Sequence, residues 1–271
     1  MADTKISALT AKSPPVDNDA VPIFDSAEAL PANQNKKVIW SVIKSTLKTY
    51  FDTFYATGIF TLNPAVTTTN YSGESWTGTA GPALAIGDIC FMGPDGKFWK
   101  AIGNLPAVWQ NAHAYTVGTV IKPTTNQNFF LFCSAVAGTG TSGGSEPTWA
   151  FTLGTTAPGG TIVDNAGSNQ VTWTYIDTES CAGRVMATGT IGAGATGVFL
   201  KRGFICYASF VDPATSAAYI TGQTLYLYQT TSGAFTQVRP IATGNRVQLV
   251  GRAAAQANTI FFDPNTVIVQ V

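Results

Sequence analysis

Three short runs in the last third of the chain read Gln223-Thr-Leu-Tyr-Leu-Tyr, Arg246-Val-Gln-Leu-Val-Gly and Thr259-Ile-Phe-Phe-Asp-Pro. Each run is rich in β-branched and aromatic residues, and clusters of Gly, Pro, Ser and Asn separate it from the next. Short strands punctuated by turn residues are typical of antiparallel sandwiches and barrels. The sequence therefore predicts a mainly β chain whose C-terminal part, residues 183–271, belongs to an antiparallel β sandwich or barrel.

A hairpin upstream has the same character. Two apolar runs flank the turn Gly93-Pro-Asp-Gly, in which proline restricts φ and glycine supplies the positive φ that the turn needs. This hairpin has too few strands to stand alone. We therefore predict a discontinuous β body of residues 84–107 and 178–271, in which residues 84–101 pair with strands of 183–271. Residues 108–177 would then be a small β module inserted into that body.

The inserted segment is rich in aromatic residues. The order of these residues resembles that of small carbohydrate-binding modules of the chitin- and cellulose-binding kind. The order is Trp109, Tyr115 with the nearby Gly118, the run Phe129-Phe-Leu-Phe, and Trp149. The resemblance implies a short three-stranded β fold whose exposed aromatic rings stack on sugars. It makes Trp109, Tyr115 and Trp149 candidate glycan-binding residues, of which Trp109 and Trp149 are the better candidates for exposure because each borders a loop. The small size of the module favours the other interpretation, in which these rings form the module's own core.

The N-terminal residues 1–57 are different again. Residues 1–35 are predicted to be an extended arm with two apolar patches, Ile6-Ser-Ala-Leu9 and Ala20-Val-Pro-Ile-Phe24, which could add as strands to another sheet. One helix follows, predicted to be capped by Ser41 and to run to about Tyr55. Its apolar stripe comprises Trp40, Ile43, Leu47, Phe51 and Phe54. Residues 58–83 are rich in Thr, Asn and Gly and are predicted to be a linker.

Three N-terminal motifs carry a second resemblance. The motifs are Lys5-Ile-Ser-Ala-Leu-Thr-Ala, Asp19-Ala-Val-Pro-Ile-Phe-Asp and Asn35-Lys-Lys-Val-Ile. Their order resembles that seen in many tailed-bacteriophage virion proteins, notably head-decoration, head-fibre and tail-fibre proteins. The C-terminal β runs are similar to the β domain that ends such proteins. The resemblance implies a non-enzymatic structural subunit of the virion surface, assembled in the host cytoplasm, commonly as a homotrimer. It also implies attachment to major capsid or tail proteins through the apolar residues of the arm and helix: Ile6, Leu9, Val21, Ile23, Phe24, Trp40, Ile43 and Leu47.

Two other functions stay open at this point. A tail-fibre or tail-adaptor protein would use the same architecture to bind a host receptor. A tailspike depolymerase would need two carboxylates, for which the candidates near the module are Glu146, Asp164, Asp177 and Glu179. The only histidine, His113, has no nucleophilic signature around it, and the long β-helical repeat usual in such spikes is not present in the sequence. We therefore expect the chain not to be an enzyme.

Composition limits the possible partners. Fifteen basic and fifteen acidic residues give a formal net charge of zero, so the sequence has no excess of positive charge that would favour binding of nucleic acid. No apolar run approaches the ~20 residues needed to span a bilayer, so membrane insertion is not expected. Copies of the chain itself, virion proteins and host-surface glycans remain as expected partners. Four widely spaced cysteines, Cys90, Cys133, Cys181 and Cys206, are predicted to be buried free thiols, with disulfides as the alternative, and no metal or other cofactor is expected.

Overall fold

The computed structural model describes residues 20–24, 35–56, 70–125, 128–149, 160–265 and 267–270. It is mainly β, as predicted, and its antiparallel sheet curls into a half-barrel. The chain divides into two compact units, Met1–Gly58 and Ile59–Val271. Within the described residues, no helix is both long enough and apolar enough to cross a bilayer.

The N-terminal unit contains a β-hairpin followed by a helix. Strand β1 (Ala20–Phe24) pairs antiparallel with β2 (Asn35–Ile39), and helix α1 (Trp40–Ala56) begins at the next residue. The predicted helix is therefore confirmed, although Ser41 lies inside its first turn and not before it. The prediction of an extended arm is wrong for residues 20–24, because this apolar patch finds its partner strand within the same unit. The patch at residues 6–9 lies outside the described residues.

The described residues of the second unit form sixteen strands. In chain order they are β3 (Asn70–Thr79), β4 (Ile89–Met92), β5 (Phe98–Lys100), β6 (Ala107–Val108), β7 (Val120–Lys122), β8 (Phe129–Ala137), β9 (Thr161–Asp164), β10 (Gln170–Asp177), β11 (Val185–Ala187), β12 (Thr196–Cys206), β13 (Thr224–Leu227), β14 (Phe235–Thr236), β15 (Arg246–Val247), β16 (Leu249–Ala253), β17 (Thr259–Phe262) and β18 (Val269–Gln270). Nine of them form one sheet in the order β14-β13-β16-β17-β12-β11-β4-β5, with β3 paired to β12. Five form a second sheet, β6-β7-β8-β10-β9, and β15 pairs with β18.

The two separated parts of the predicted β body do pair with each other. Cys90 in β4 lies opposite Val185 in β11, which confirms that residues 84–101 join the sheet formed by the C-terminal strands. The β4–β5 hairpin also forms as predicted, and Gly96 in its turn has a φ of +73°. Residues 107–177 contribute the whole of the second sheet, so the intervening segment has its own strands and its own aromatic core. That sheet has five strands, where the resemblance implied three.

The predicted linker is wrong for residues 70–79. These residues form β3, which pairs with β12 from Asn70 opposite Cys206 to Thr79 opposite Thr196. The glycines that suggested a flexible segment instead allow the two backbones to approach closely. A Cβ atom on Gly73 would overlap the carbonyl of Arg202, and one on Gly203 would overlap the carbonyl of Ser72. Because glycine is required at this crossing, its presence marks strand pairing and not a linker.

Aromatic side chains connect the two sheets of the second unit. Trp99 of β5 lies edge-on to Phe132 of β8, with ring centroids 5.4 Å apart, and Phe91 of β4 lies edge-on to the same ring at 6.4 Å. A Cβ atom on Gly118 would collide with the indole of Trp99, so only glycine fits there. The Arg246 guanidinium adds a second junction through its contact with the Phe130 ring, at 5.5 Å from the centroid. The module is thus packed against the body by large side chains.

Candidate binding site

The three predicted glycan-binding residues are not at the surface. Trp109, Tyr115 and Trp149 are only 7%, 6% and 8% exposed, and all three belong to the buried core of the five-stranded sheet. A ring must present a free face to stack on a sugar. Trp109 and Trp149 were candidates for exposure and are not exposed, and the favoured interpretation of these rings as core is confirmed.

A buried carboxylate explains the orientation of Trp109. Asp164 is 2% exposed, and its Oδ2 accepts hydrogen bonds from the indole Nε1 of Trp109 at 2.8 Å and of Trp173 at 3.4 Å. Its Oδ1 accepts a third hydrogen bond from the backbone N–H of Gly143 at 2.9 Å. A buried carboxylate is costly unless it accepts such hydrogen bonds. The two indoles are thus drawn inward by an acceptor that lies in the module's own strand β9.

The polar groups of Tyr115 and Trp149 are also used internally. The Tyr115 hydroxyl accepts a hydrogen bond from the backbone N–H of Gln110 at 2.8 Å, and burial is the main cause that raises the pKa of this hydroxyl. The Trp149 indole donates to Oε1 of Glu146 at 2.7 Å, and the same oxygen accepts the backbone N–H of Thr124 at 2.9 Å. These contacts leave none of the three predicted residues with a polar group directed at a ligand.

Three of the four candidate acids of the depolymerase alternative have structural partners, and the fourth, Glu179, lines a cavity together with Arg246. Glu146 and Asp164 each accept an indole N–H, as described above, and Asp177 accepts the Tyr175 hydroxyl at 3.2 Å. His113 packs edge-on to Tyr115, with ring centroids 4.7 Å apart. Among the described residues, no group of three or more His, Cys, Asp or Glu side chains could hold a metal ion.

All four cysteines are free and buried, which confirms the prediction made from their apolar surroundings. Burial raises the pKa of the Cys133 thiol to about 12 and also raises the pKa of the Cys90 and Cys181 thiols. The Arg246 guanidinium, which donates to the Cys181 sulfur at 2.8 Å, opposes that rise for Cys181. A nucleophilic cysteine needs an accessible thiolate, and these environments favour the neutral thiol.

The predicted attachment residues fall into four groups. Val21 and Leu47 are exposed, whereas Trp40 and Ile43 are half-buried. Ile23 and Phe24 lie in β1. Ile6 and Leu9 lie outside the described residues. Two exposed apolar side chains of this unit were not predicted, Ile39 at the end of β2 and Val42 in the first turn of α1. The exposed apolar surface of this unit is therefore wider than the predicted helical stripe.

The clearest exposed aromatic residue lies in the β body. Trp76 of β3 is 49% exposed, and Met92 at the end of β4 is 48% exposed. They border a cavity of about 470 Å³ in the half-barrel, whose lining includes the buried side chains of Phe98 and Val185. The rings of Trp76 and Phe98 are 6.3 Å apart. We call this cavity the Trp76 cleft; its charged lining residues are Glu74, Arg184, Lys201, Arg202 and Asp263.

Two ion pairs hold most of these charges in place. Lys201 Nζ lies 2.7 Å from Glu74 Oε1 and 5.7 Å from the centre of the Trp76 ring. Arg202 Nε lies 3.2 Å from Asp263 Oδ1. No acidic residue that the structure describes pairs with the Arg184 side chain. The cleft thus presents an indole, an apolar floor, charges of both signs and one guanidinium without an ion pair.

Sequence reasoning missed this cleft because Trp76 falls within the segment that was interpreted as a linker. One signal was available, since Glu74 and Trp76 stand two residues apart, as side chains on one face of a strand do. Comparison with protein-family models, curated proteins and solved structures finds no match to the chain.

Proposed function

We propose that the chain is a structural protein of a tailed-bacteriophage surface, of the capsid-decoration or head-fibre type, which attaches through its N-terminal unit and self-associates as a homotrimer. The observation that carries the proposal is the division of the chain into two units, the first of which leaves apolar side chains in solvent. The motif order of the N-terminal residues supports the same function. The buried state of Trp109, Tyr115 and Trp149 removes sugar stacking by these residues from the proposal.

The exposed apolar side chains of the N-terminal unit support an attachment role. Val21, Ile39, Val42 and Leu47 all leave a large part of their surface in water. Covering the exposed part of one such side chain contributes on the order of 1 kcal/mol. Four of them together provide a substantial apolar surface for a unit of this size, as expected for a segment that docks on another protein.

The second unit suits a particle-forming role for a different reason. Only 11% of the residues are charged and the formal net charge is zero, so electrostatic repulsion between copies is weak. The module is held to the body by the aromatic junction described above, so the two sheets form one displayed object. These properties support self-association, and the homotrimer follows from the resemblance to virion proteins.

A matched pair of charge insertions on helix α1 tests the attachment role. Leu47→Asp places a charge on an exposed apolar position, whereas Thr46→Asp places the same charge on a neighbouring exposed polar position. We expect Leu47→Asp to reduce the amount of protein that sediments with phage particles about tenfold, as loss of about 1.4 kcal/mol would. Thr46→Asp should change it little. Equal incorporation of the two variants would contradict attachment through this surface.

Imaging of labelled particles then decides between the two virion locations. Label on the head supports the decoration or head-fibre function. Label confined to the tail would replace it with the tail-fibre or tail-adaptor function, which uses the same attachment unit. Absence of the wild-type chain from purified particles would contradict both.

A further inference from the structure

The apolar part of the Trp76 cleft fits a ligand with one flat apolar face. The Trp76 indole and the Met92 side chain are each about half exposed, above the buried side chains of Phe98 and Val185. Ligand sites in β proteins commonly lie at such openings, with aromatic side chains on the walls. The C–H face of a pyranose ring is flat and apolar, and it can cover an exposed indole without removing a strongly hydrated group from water.

The charged rim narrows the class of ligand. Glu74 and Asp263 offer acceptors only, whereas Lys201 and Arg202 offer donors only. The Glu74–Lys201 pair lies beside the indole, with Lys201 Nζ 5.7 Å from the ring centre, and the Arg202–Asp263 pair lines the same cleft. A hydroxyl group both donates and accepts, so a ring that carries several hydroxyls can satisfy a rim of both signs. A purely aromatic acid would offer nothing to the two carboxylates.

The balance of charges on the rim narrows the class of ligand further. The rim carries three cations and two carboxylates, and Arg184 is the cation without an ion pair among the described residues. A guanidinium matches a carboxylate through two parallel N–H···O hydrogen bonds, which are stronger than hydrogen bonds to neutral acceptors. An anionic group on the ligand would therefore complete the set of charges in the cleft.

We propose that the Trp76 cleft binds a saccharide that carries a carboxylate, such as a uronic acid, with its ring on Trp76 and its carboxylate on Arg184. This goes beyond the proposed function, because the attachment role uses the N-terminal unit and requires no ligand in the β body. It also moves sugar binding from the module, where the rings are buried, to a part of the body where an indole is open.

Two sugars that differ by one group provide the first test. Methyl β-glucuronide and methyl β-glucoside are titrated separately into the purified full chain, and binding is followed by saturation-transfer NMR and by chemical shifts of the tryptophan indole N–H groups. We expect the glucuronide to bind about tenfold more tightly, since the carboxylate–guanidinium contact is absent from the glucoside. Equal affinities, or no binding of the glucuronide at tens of millimolar, would overturn the proposal.

Variants with matched controls provide the second test. Arg184→Gln should weaken glucuronide binding about tenfold and leave glucoside binding unchanged, whereas Arg252→Gln, an exposed arginine outside the cleft, should alter neither. Trp76→Ala should abolish binding of both sugars, and Phe204→Ala, an exposed aromatic outside the cleft lining, should preserve it. Because Arg184→Gln keeps the indole in place, its result stands even where Trp76→Ala folds poorly.

One competing occupant is a second copy of the chain. Sedimentation of the wild type and of Trp76→Ala distinguishes the two possibilities. Loss of an oligomer in Trp76→Ala, together with no sugar-induced shift in the wild type, would overturn the saccharide proposal and assign the cleft to subunit contact. An unchanged oligomeric state together with lost sugar binding supports the proposal. Both results are independent of whether the chain enters phage particles.

Discussion

The tryptophans of the module and Trp76 of the half-barrel occupy opposite kinds of environment. In the module, Trp109 and Trp173 turn their indole N–H groups toward Asp164, and their rings are closed off from solvent. In the half-barrel, Trp76 stands on β3 with half of its surface exposed and a lysine ammonium over its ring. The module contains three tryptophans and the body two, yet the candidate ligand surface is on the body.

The difference lies in where the indole finds an acceptor. A buried carboxylate such as Asp164 stabilises an indole in the interior, because both partners satisfy a polar group that burial would otherwise penalise. Trp76 has charged neighbours on the rim of a cleft, and these remain partly in water. An exposed aromatic residue is therefore better recognised by the position of its polar neighbours than by the number of aromatic residues around it.

Replacement of Trp109 and of Trp76 in turn tests this contrast with the largest expected change in stability. We expect Trp109→Ala to lower the free energy of unfolding by about 3–5 kcal/mol, because it empties part of a packed core and leaves Asp164 with one donor fewer. Trp76→Ala should lower it by only about 1 kcal/mol, because half of that ring is already in water. Urea unfolding followed by circular dichroism measures both. Similar losses of unfolding free energy in the two variants would contradict the distinction between a buried and an exposed tryptophan.

The module core can also be tested through its thiol. The Cys133 pKa in the folded chain is about 12 against an ordinary value of 9.0, so the unfolded chain loses the proton first as the pH rises. The stabilisation is therefore complete below pH 9 and falls between about pH 9 and 12, by at most about 1.4 kcal/mol per pH unit for one thiol. We expect Cys133→Ala to flatten the alkaline loss of stability, measured as urea midpoints across that range. A variant with the same alkaline slope as the wild type would show that Cys133 is not buried in the folded chain.

The rim ion pair should have the smallest effect. The Arg202 and Asp263 side chains are 62% and 45% exposed, so their attraction is weakened by water and salt. We expect Arg202→Gln to change the free energy of unfolding by less than about 0.5 kcal/mol, and the change to shrink further in 1 M NaCl. A salt-independent loss of several kcal/mol would mean that the rim supports the fold, which would weaken its interpretation as a ligand-binding edge.

Local sequence signals were sufficient for several elements of the fold. The Pro-Asp-Gly turn specified the β4–β5 hairpin, and the spacing of Trp40, Ile43 and Leu47 specified helix α1. The return of β character after residue 183 correctly indicated pairing with residues 84–101, because a hairpin of two strands needs further partners. Each of these inferences rests on chemistry that acts between near neighbours or on the need of a sheet for more strands.

The remaining features depend on contacts between residues distant in sequence. Gly73 looked like a linker residue because the opposing glycine, Gly203, lies far along the chain in β12. Trp109 was a candidate for exposure because it borders a loop, and its acceptor, Asp164, is 55 residues away in the sequence. The cleft required β3, β4, β11 and β12 to be placed together before Trp76 and Arg184 could be seen to share a surface. No local pattern encodes such meetings of distant side chains.

Trp99 and Gly118 limit how the module of residues 108–177 can be exchanged for another domain. The indole belongs to the body, and the space it fills would be taken by any side chain at position 118 of the module. A foreign domain joined at residues 107 and 178 would bring its own residue to that contact, and anything larger than glycine would displace the indole. Replacement of this module by another domain therefore has to include a glycine at the matching place or be accompanied by a change of Trp99.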